Sequence, residues 1–304
     1  MNMTRREILK LGAAGAAAAL SPRLYAGSRP LLLKKIPASG EQLPPVGIGT
    51  NRYGVQHTEA ARAPLRATLQ KFTELGGRLI DTAPVYGESE TVLGDLITGL
   101  QLRDKLFLAS KTDLRGLISG RESFQKTFDR LRTDHIELMQ VHNLVNAPNE
   151  LAAMREWQQE GKIKYLGITT SSSGQFADME RLMAAEPLDF VQLNYSLDDR
   201  EAQQRLLPLA LDRGIAVLVN LPFGRGRLFG RIGGQTLPDW AVELDCASWG
   251  QFFLKYIISH PAVTCAIPGT RTPEHVIDNF GAAFGGLPDA DHRRRQEQFY
   301  DNLS

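Results

Sequence analysis

The twelve residues Leu79-Ile80-Asp81-Thr82-Ala83-Pro84-Val85-Tyr86-Gly87-Glu88-Ser89-Glu90 decide the fold. The first half is a short apolar run entered from Gly76-Gly77, which predicts a buried strand. Pro84 and Gly87 predict a turn, and Ser89 stands where it could cap a following helix. An acid, Asp81, and a phenol, Tyr86, therefore sit where a strand meets a loop. Two later apolar runs also end on polar residues. Lys111 closes Leu106-Phe107-Leu108-Ala109-Ser110, and His142 closes the run that begins at Ile136. If these strands lie side by side and parallel, Asp81, Tyr86, Lys111 and His142 converge on one reaction centre.

The rhythm extends in both directions. Residues 31–43 alternate polar and apolar positions around Ser39-Gly40, which predicts a small hairpin. Strands are then predicted at 46–50, 78–82, 106–111, 136–142, 165–170, 190–195, 215–221 and 263–267. Helices are predicted at 59–75, 89–102, 121–131, 149–160, 174–185, 201–213, 247–259 and 273–284, with a last one at 290–302. The strands are continuous apolar runs, as strands covered on both faces must be. Eight strand–helix units predict an α/β fold, a (β/α)8 TIM barrel with an N-terminal β-hairpin and a C-terminal helix. Gly47-Ile48-Gly49 is followed by Thr50-Asn51-Arg52 and lacks a third glycine, so a Rossmann fingerprint is absent. In a barrel the chemistry sits at the carboxyl ends of the strands, where Asp81, Lys111 and His142 fall.

Bulk properties narrow the function classes. The 304 residues are 42% hydrophobic and 23% charged, ordinary for a soluble globular chain, and the formal net charge is only +1. That balance argues against a nucleic-acid partner. Residues 1–26 differ from the rest. Arg5-Arg6 and Lys10 precede a short Ala/Gly-rich apolar stretch, and Ala26 offers a small residue at a cut. This order predicts a signal peptide of the twin-arginine type. It implies export of the folded domain 27–304 to the periplasm by the twin-arginine machinery, without stable membrane anchoring. A cytoplasmic location holds if residues 1–26 are instead an amphipathic helix. Cys246 and Cys265 could pair in an oxidising compartment, but Cys265 lies in an apolar run and fits better as a buried thiol. The scattered histidines form no HExxH or similar set, so no metal site is expected.

A phenol beside an ammonium becomes a better acid than its ordinary value near ~10 implies. Tyr86 next to Lys111 can therefore donate a proton to a carbonyl oxygen. Asp81 can pair with Lys111 and keep it charged and oriented. His142 can donate an N–H to the same oxygen. Nothing in the chain is a hydride source, so hydride chemistry needs a cofactor.

With these residues in place the chain resembles the aldo-keto reductases over about residues 40–285. The specific matches are Asp81-Thr82-Ala83 with Tyr86-Gly87, then Ser110-Lys111, Val141-His142 and Ile267-Pro268-Gly269-Thr270-Arg271. The resemblance implies an Asp81–Tyr86–Lys111–His142 tetrad, NADPH/NADP+ as cofactor, and reduction of a small-molecule aldehyde or ketone to an alcohol. By resemblance Gln192, Thr169 and Thr170 would meet the nicotinamide carboxamide, although the family often has Asn at one of the two threonine positions. Thr270, Arg271 and Asn279 would form the adenosine-phosphate site, and the loop 223–228 with Gly224 would lie over the pyrophosphate. Asn220 departs from the family, which often places an aromatic there to stack on the nicotinamide; Tyr195 or Phe223 is left to supply a ring face. Asn51, Tyr195 and Trp240 are expected in the substrate pocket, with segment 230–246 as its roof; the alternative for Trp240 is a structural tryptophan on a core face. Two rivals accompany this reading: an exported nucleotide-binding sensor or regulatory barrel with little turnover, and a dehydratase or isomerase on the same barrel.

Overall fold

In the computed structural model, residues 29–55, 57–112 and 121–303 are described. The predicted signal segment 1–26 lies outside them. The chain opens with a hairpin, β1 (Lys34–Lys35) against β2 (Gln42–Leu43), antiparallel as predicted. Its turn passes through Gly40 at φ 75°.

Eight strands follow: β3 (Ile48–Gly49), β4 (Leu79–Asp81), β5 (Phe107–Lys111), β6 (Ile136–Val141), β7 (Ile163–Thr169), β8 (Phe190–Asn194), β9 (Ala216–Asn220) and β10 (Val263–Ala266). They lie in sequence order, every neighbouring pair parallel. Parallel bridges Val46–Ala266 and Gly49–Gly269 join the two edges, so the sheet closes on itself. Closure leaves no unpaired edge.

The helices are α1 (Glu59–Glu74), α2 (Ser89–Gly99), α3 (Arg121–Leu131), α4 (Ala147–Gln159), α5 (Phe176–Ala185), α6 (Leu206–Arg213), α7 (Arg227–Ile232), α8 (Trp249–Ile258), α9 (Pro273–Gly281) and α10 (Ala290–Asp301). Three details differ from the sequence reading. Glu88, not Ser89, is the N-cap of α2; the Ser89 hydroxyl donates to the Thr50 carbonyl at 3.0 Å instead. Short 3-10 turns, Ser173–Gln175 and Glu201–Gln204, precede α5 and α6. The irregular stretch after β9 contains α7 and a further 3-10 turn, Asp239–Leu244.

Strand alternation builds two cores. Leu79, Phe107, Leu138, Tyr165, Phe190, Ala216, Leu218 and Cys265 point into the barrel, with Ile36 and Leu43 of the hairpin segment packed onto them. Phe107 stacks on Tyr165 with centroids 5.9 Å apart. Ile80, Leu108, Met139, Leu166, Val191 and Val217 point outward beneath the helices. Each fully buried Leu or Phe contributes on the order of 1.5–3 kcal/mol. The hairpin thus plugs the amino-terminal end and leaves the carboxyl end open. Cys246 and Cys265 are both free and buried. Burial pushes the Cys246 thiol up to about 12 and the Cys265 thiol higher still, so neither is a ready nucleophile. Among the described residues no helix is long and apolar enough to cross a membrane.

Candidate active site

The inward-facing parity that fills the barrel also delivers its chemistry. Asp81 is two residues beyond Leu79, Lys111 four beyond Phe107, and His142 four beyond Leu138, so all three point inward near the open end. Thr169, Gln192 and Asn220 share that parity with Tyr165, Phe190 and Leu218. A cleft of about 720 Å³ opens there, and all seven of Asp81, Tyr86, Lys111, His142, Thr169, Gln192 and Asn220 line it.

Lys111 and Asp81 are buried at the floor, 1% and 3% exposed. The Lys111 ammonium donates to Asp81 Oδ2 at 2.6 Å and to the Thr82 carbonyl at 2.8 Å. Burial works against the lysine charge, but the Asp81 carboxylate and Tyr86 more than offset it, so the Lys111 pKa is raised. Tyr86, partly buried, lies with its ring centroid 5.1 Å from the Lys111 nitrogen. The His142 ring meets the Tyr86 ring edge-on, centroids 6.1 Å apart. The His142 backbone N–H donates to Thr112 Oγ1 at 3.1 Å, fixing the strand end. The four side chains named by the sequence therefore come together.

The expected cofactor positions divide. The Gln192 amide donates to Asp81 Oδ1 at 2.8 Å and accepts from Thr169 Oγ1 at 3.1 Å, both groups on the cleft wall. Arg271 and Thr270 line the cleft. Asn279 does not line it; its amide donates to Thr270 Oγ1 at 3.1 Å and so holds that residue. Thr170 is turned away, its hydroxyl committed to Gln175 Oε1 at 2.6 Å. Gly224 is also off the lining, but Phe223, Arg225 and Gly226 are on it. A Cβ at Gly224 would fall 2.7 Å from Asp198 Oδ2, and its φ of +56° favours glycine. Asn220 donates to the Thr170 carbonyl at 2.8 Å, while its Oδ1 is buried without a partner among the described residues.

Of the three residues expected around substrate, only Asn51 lines the cleft. Tyr195 has the opposite parity from Gln192. It is fully buried between barrel and helices, bonded to Gln203 at 3.0 Å and to the Arg293 guanidinium at 2.6 Å. Trp240 is equally remote: it packs on Phe252 and Phe299 beneath Arg295. Segment 230–246 is accordingly absent from the lining, which instead includes Arg52, Val85, Asn143 and His275, none expected from the sequence. Asn143, Leu221 and Arg225 on this rim hold positive φ values of 49°, 49° and 58°, a left-handed backbone that side chains other than glycine adopt at a cost.

A closed parallel barrel with a buried Asp–Lys pair beneath a tyrosine and a histidine at its carboxyl end defines a barrel protein with an acid–base cleft. Residues 45–298 match the aldo/keto reductase family, and the chain belongs to it. It is 34% identical over 200 residues to the aldo-keto reductase YhdN of Bacillus subtilis, a match covering 61% of this chain and 58% of that relative. It is 31% identical over 254 residues to the methylglyoxal reductase YeaE of Escherichia coli, covering 81% and 88% respectively. An aldo/keto reductase of Klebsiella pneumoniae, solved with NADP and acetate, superposes with a TM-score of 0.72 at 24% identity, over 86% of this chain and 93% of that one; it shares the fold.

Proposed function

We propose that this protein reduces an aldehyde or ketone to an alcohol with NADPH. The observation that carries this reading is the buried Asp81–Lys111 pair with Tyr86 and His142 set above it at the cleft floor. The cleft also fits the cofactor. Asn220 presents an unpartnered buried oxygen, and Arg52, Arg225 and Arg271 line the wall as exposed guanidiniums without a carboxylate partner among the described residues. Such charges suit a pyrophosphate and a 2′-phosphate. NADPH, when bound, supplies the hydride.

The chain does the rest. Tyr86 donates its proton to the carbonyl oxygen, and Lys111 stabilises the phenolate left behind. His142 donates an N–H to the same oxygen as negative charge develops there. Asp81 holds Lys111 charged and in place. Tyr86→Phe should lower turnover by at least about a hundredfold, within the range for loss of a general acid, while NADPH affinity stays within about twofold. Full activity in that variant would sink the mechanism. Asn51, Arg52 and Asn143 make the mouth polar, and the similarity to a methylglyoxal reductase makes small oxo-aldehydes the first compounds to screen.

Asn220, standing where the family often has an aromatic, favours a second reading, a nucleotide-binding barrel with little turnover. NADPH binding without reduction of any small carbonyl would select it. Residues 1–26 are proposed as a twin-arginine signal that sends the domain to the periplasm. A mature N-terminus near Gly27 in the periplasmic fraction supports export; full-length protein confined to the cytoplasm refutes it.

A further inference from the structure

We propose that Gln140 is a positioning residue for the reduction, holding Asp81 so that Lys111 keeps its charge available to Tyr86. The proposal rests on the catalytic reading above. Gln140 lies on β6, two residues before His142, and has the same inward parity. It is fully buried. Its amide donates to Asp81 Oδ1 at 3.2 Å. The same oxygen accepts from Gln192 at 2.8 Å, and Oδ2 is occupied by Lys111 at 2.6 Å.

The two glutamines are not equivalent. Gln192 lines the cleft, within reach of whatever binds there, whereas Gln140 is absent from the lining. A ligand in the cleft can draw Gln192 away from Asp81; it cannot reach Gln140. Gln140 is thus the donor that stays with Oδ1 throughout a turnover. Once a ligand has drawn Gln192 away, loss of Gln140 leaves Oδ1 bare in a buried site, and the carboxylate swings further onto Lys111. The ammonium then stabilises the Tyr86 phenolate less, and the tyrosine becomes a weaker acid.

A second observation argues that this contact is kept for something other than stability. Gln140 Oε1 is buried with no partner among the described residues. An orphaned buried acceptor destabilises a fold. Gln140 stands in register with Lys111 and Gly167, one inward step above Leu138 of the apolar barrel core, and a leucine-sized side chain would remove the orphaned acceptor. The position keeps a polar side chain whose single bond among the described residues is the one to Asp81.

The test compares Gln140→Leu and Gln140→Met with the parent by thermal unfolding, NADPH titration, a crystal structure, and pH profiles of carbonyl reduction. Both variants are expected to unfold at the same temperature as the parent or above it, and to bind NADPH within about twofold. In the crystal of the NADPH complex, Asp81 should be rotated, with Oδ1 turned from its present place. With a turned-over carbonyl, kcat should fall about tenfold with KM nearly constant, and the basic limb of kcat/KM should move about one unit to higher pH. An unmoved Asp81 with parental kcat overturns the proposal. So does a loss of kcat that tracks lowered stability in both variants. If Gln140→Leu fails to fold, Gln140→Met decides. Stability and the Asp81 orientation need no turnover, so a parent protein inactive on every carbonyl overturns the reductase reading without obscuring the result for Gln140.

Discussion

At the scale of the residue, the cleft is organised by unmatched charge. Among the described residues Asp81 is the sole carboxylate on the lining, and it is matched by Lys111; Arg52, Arg225 and Arg271 remain. Arg271 follows Thr270, whose carbonyl is held by the Tyr53 hydroxyl at 2.9 Å and whose hydroxyl is held by Asn279. Its backbone is therefore anchored on two sides while its guanidinium stays exposed. A guanidinium fork on a phosphate forms charge-assisted, bidentate bonds, and a ribose hydroxyl at the same place gains little from it. Arg271→Gln is expected to weaken NADPH binding by about tenfold or more, roughly 1.4 kcal/mol, and to leave NADH within about twofold. Titration of both nucleotides by their fluorescence checks this. Equal losses for the two would remove Arg271 from the 2′-phosphate site.

At the scale of the element, the strands were legible and the loops were not. All eight barrel strands and the hairpin follow from apolar runs and turn residues, because burial on both faces leaves no other use for such runs. Period-2 parity then sorts the candidate residues. Asp81, Lys111, His142, Thr169, Gln192 and Asn220 fall on the inward face and line the cleft; Thr170 and Tyr195 fall on the outward one and do not. Parity applied to the sequence would have excluded those two, and would have noticed Gln140 two residues before His142. Trp240 could not be placed this way, since a tryptophan in a loop segment carries no periodic information. Arg52 and Asn143 were equally hidden, because the rim loops take their shape from tertiary contacts such as the bond from Gln175 to the Asn143 carbonyl at 3.0 Å. Packing also imposes residues whose reason is invisible in one sequence. Gly94 in α2 is an example: a Cβ there would meet the Arg130 carbonyl of α3 at 2.2 Å, so the two helices approach only because it is absent.

At the scale of the whole molecule, α8 and α10 close against the outer face of the barrel through a polar seam that contains the half-buried His260. His260, just after α8, meets Tyr195 edge-on at 5.9 Å, and its Nδ1 accepts the Ala262 backbone N–H at 3.2 Å. Burial first, then the nearby Arg293 and Lys34 charges, push its pKa down from 6.5 to about 4. The neutral ring is the one that fits, because a proton on Nδ1 would end the bond from Ala262 and add a cation beside two others. The unfolded chain takes up this proton near pH ~6.5, whereas the folded one resists until about 4. Stability from this group is therefore complete above pH ~6.5, declines as pH falls toward 4, and is lost below it, by on the order of 3 kcal/mol in all. His260→Asn keeps a neutral acceptor near the Nδ1 position and has no proton to gain. Urea unfolding at pH 7 and pH 4.5 should show the parent losing more stability than the variant, by about 2 kcal/mol. Carboxylates that titrate in the same range contribute equally to both proteins, so the difference isolates His260. Identical losses would mean that the ring is protonated in the fold without penalty, and that the acid sensitivity of the barrel lies elsewhere.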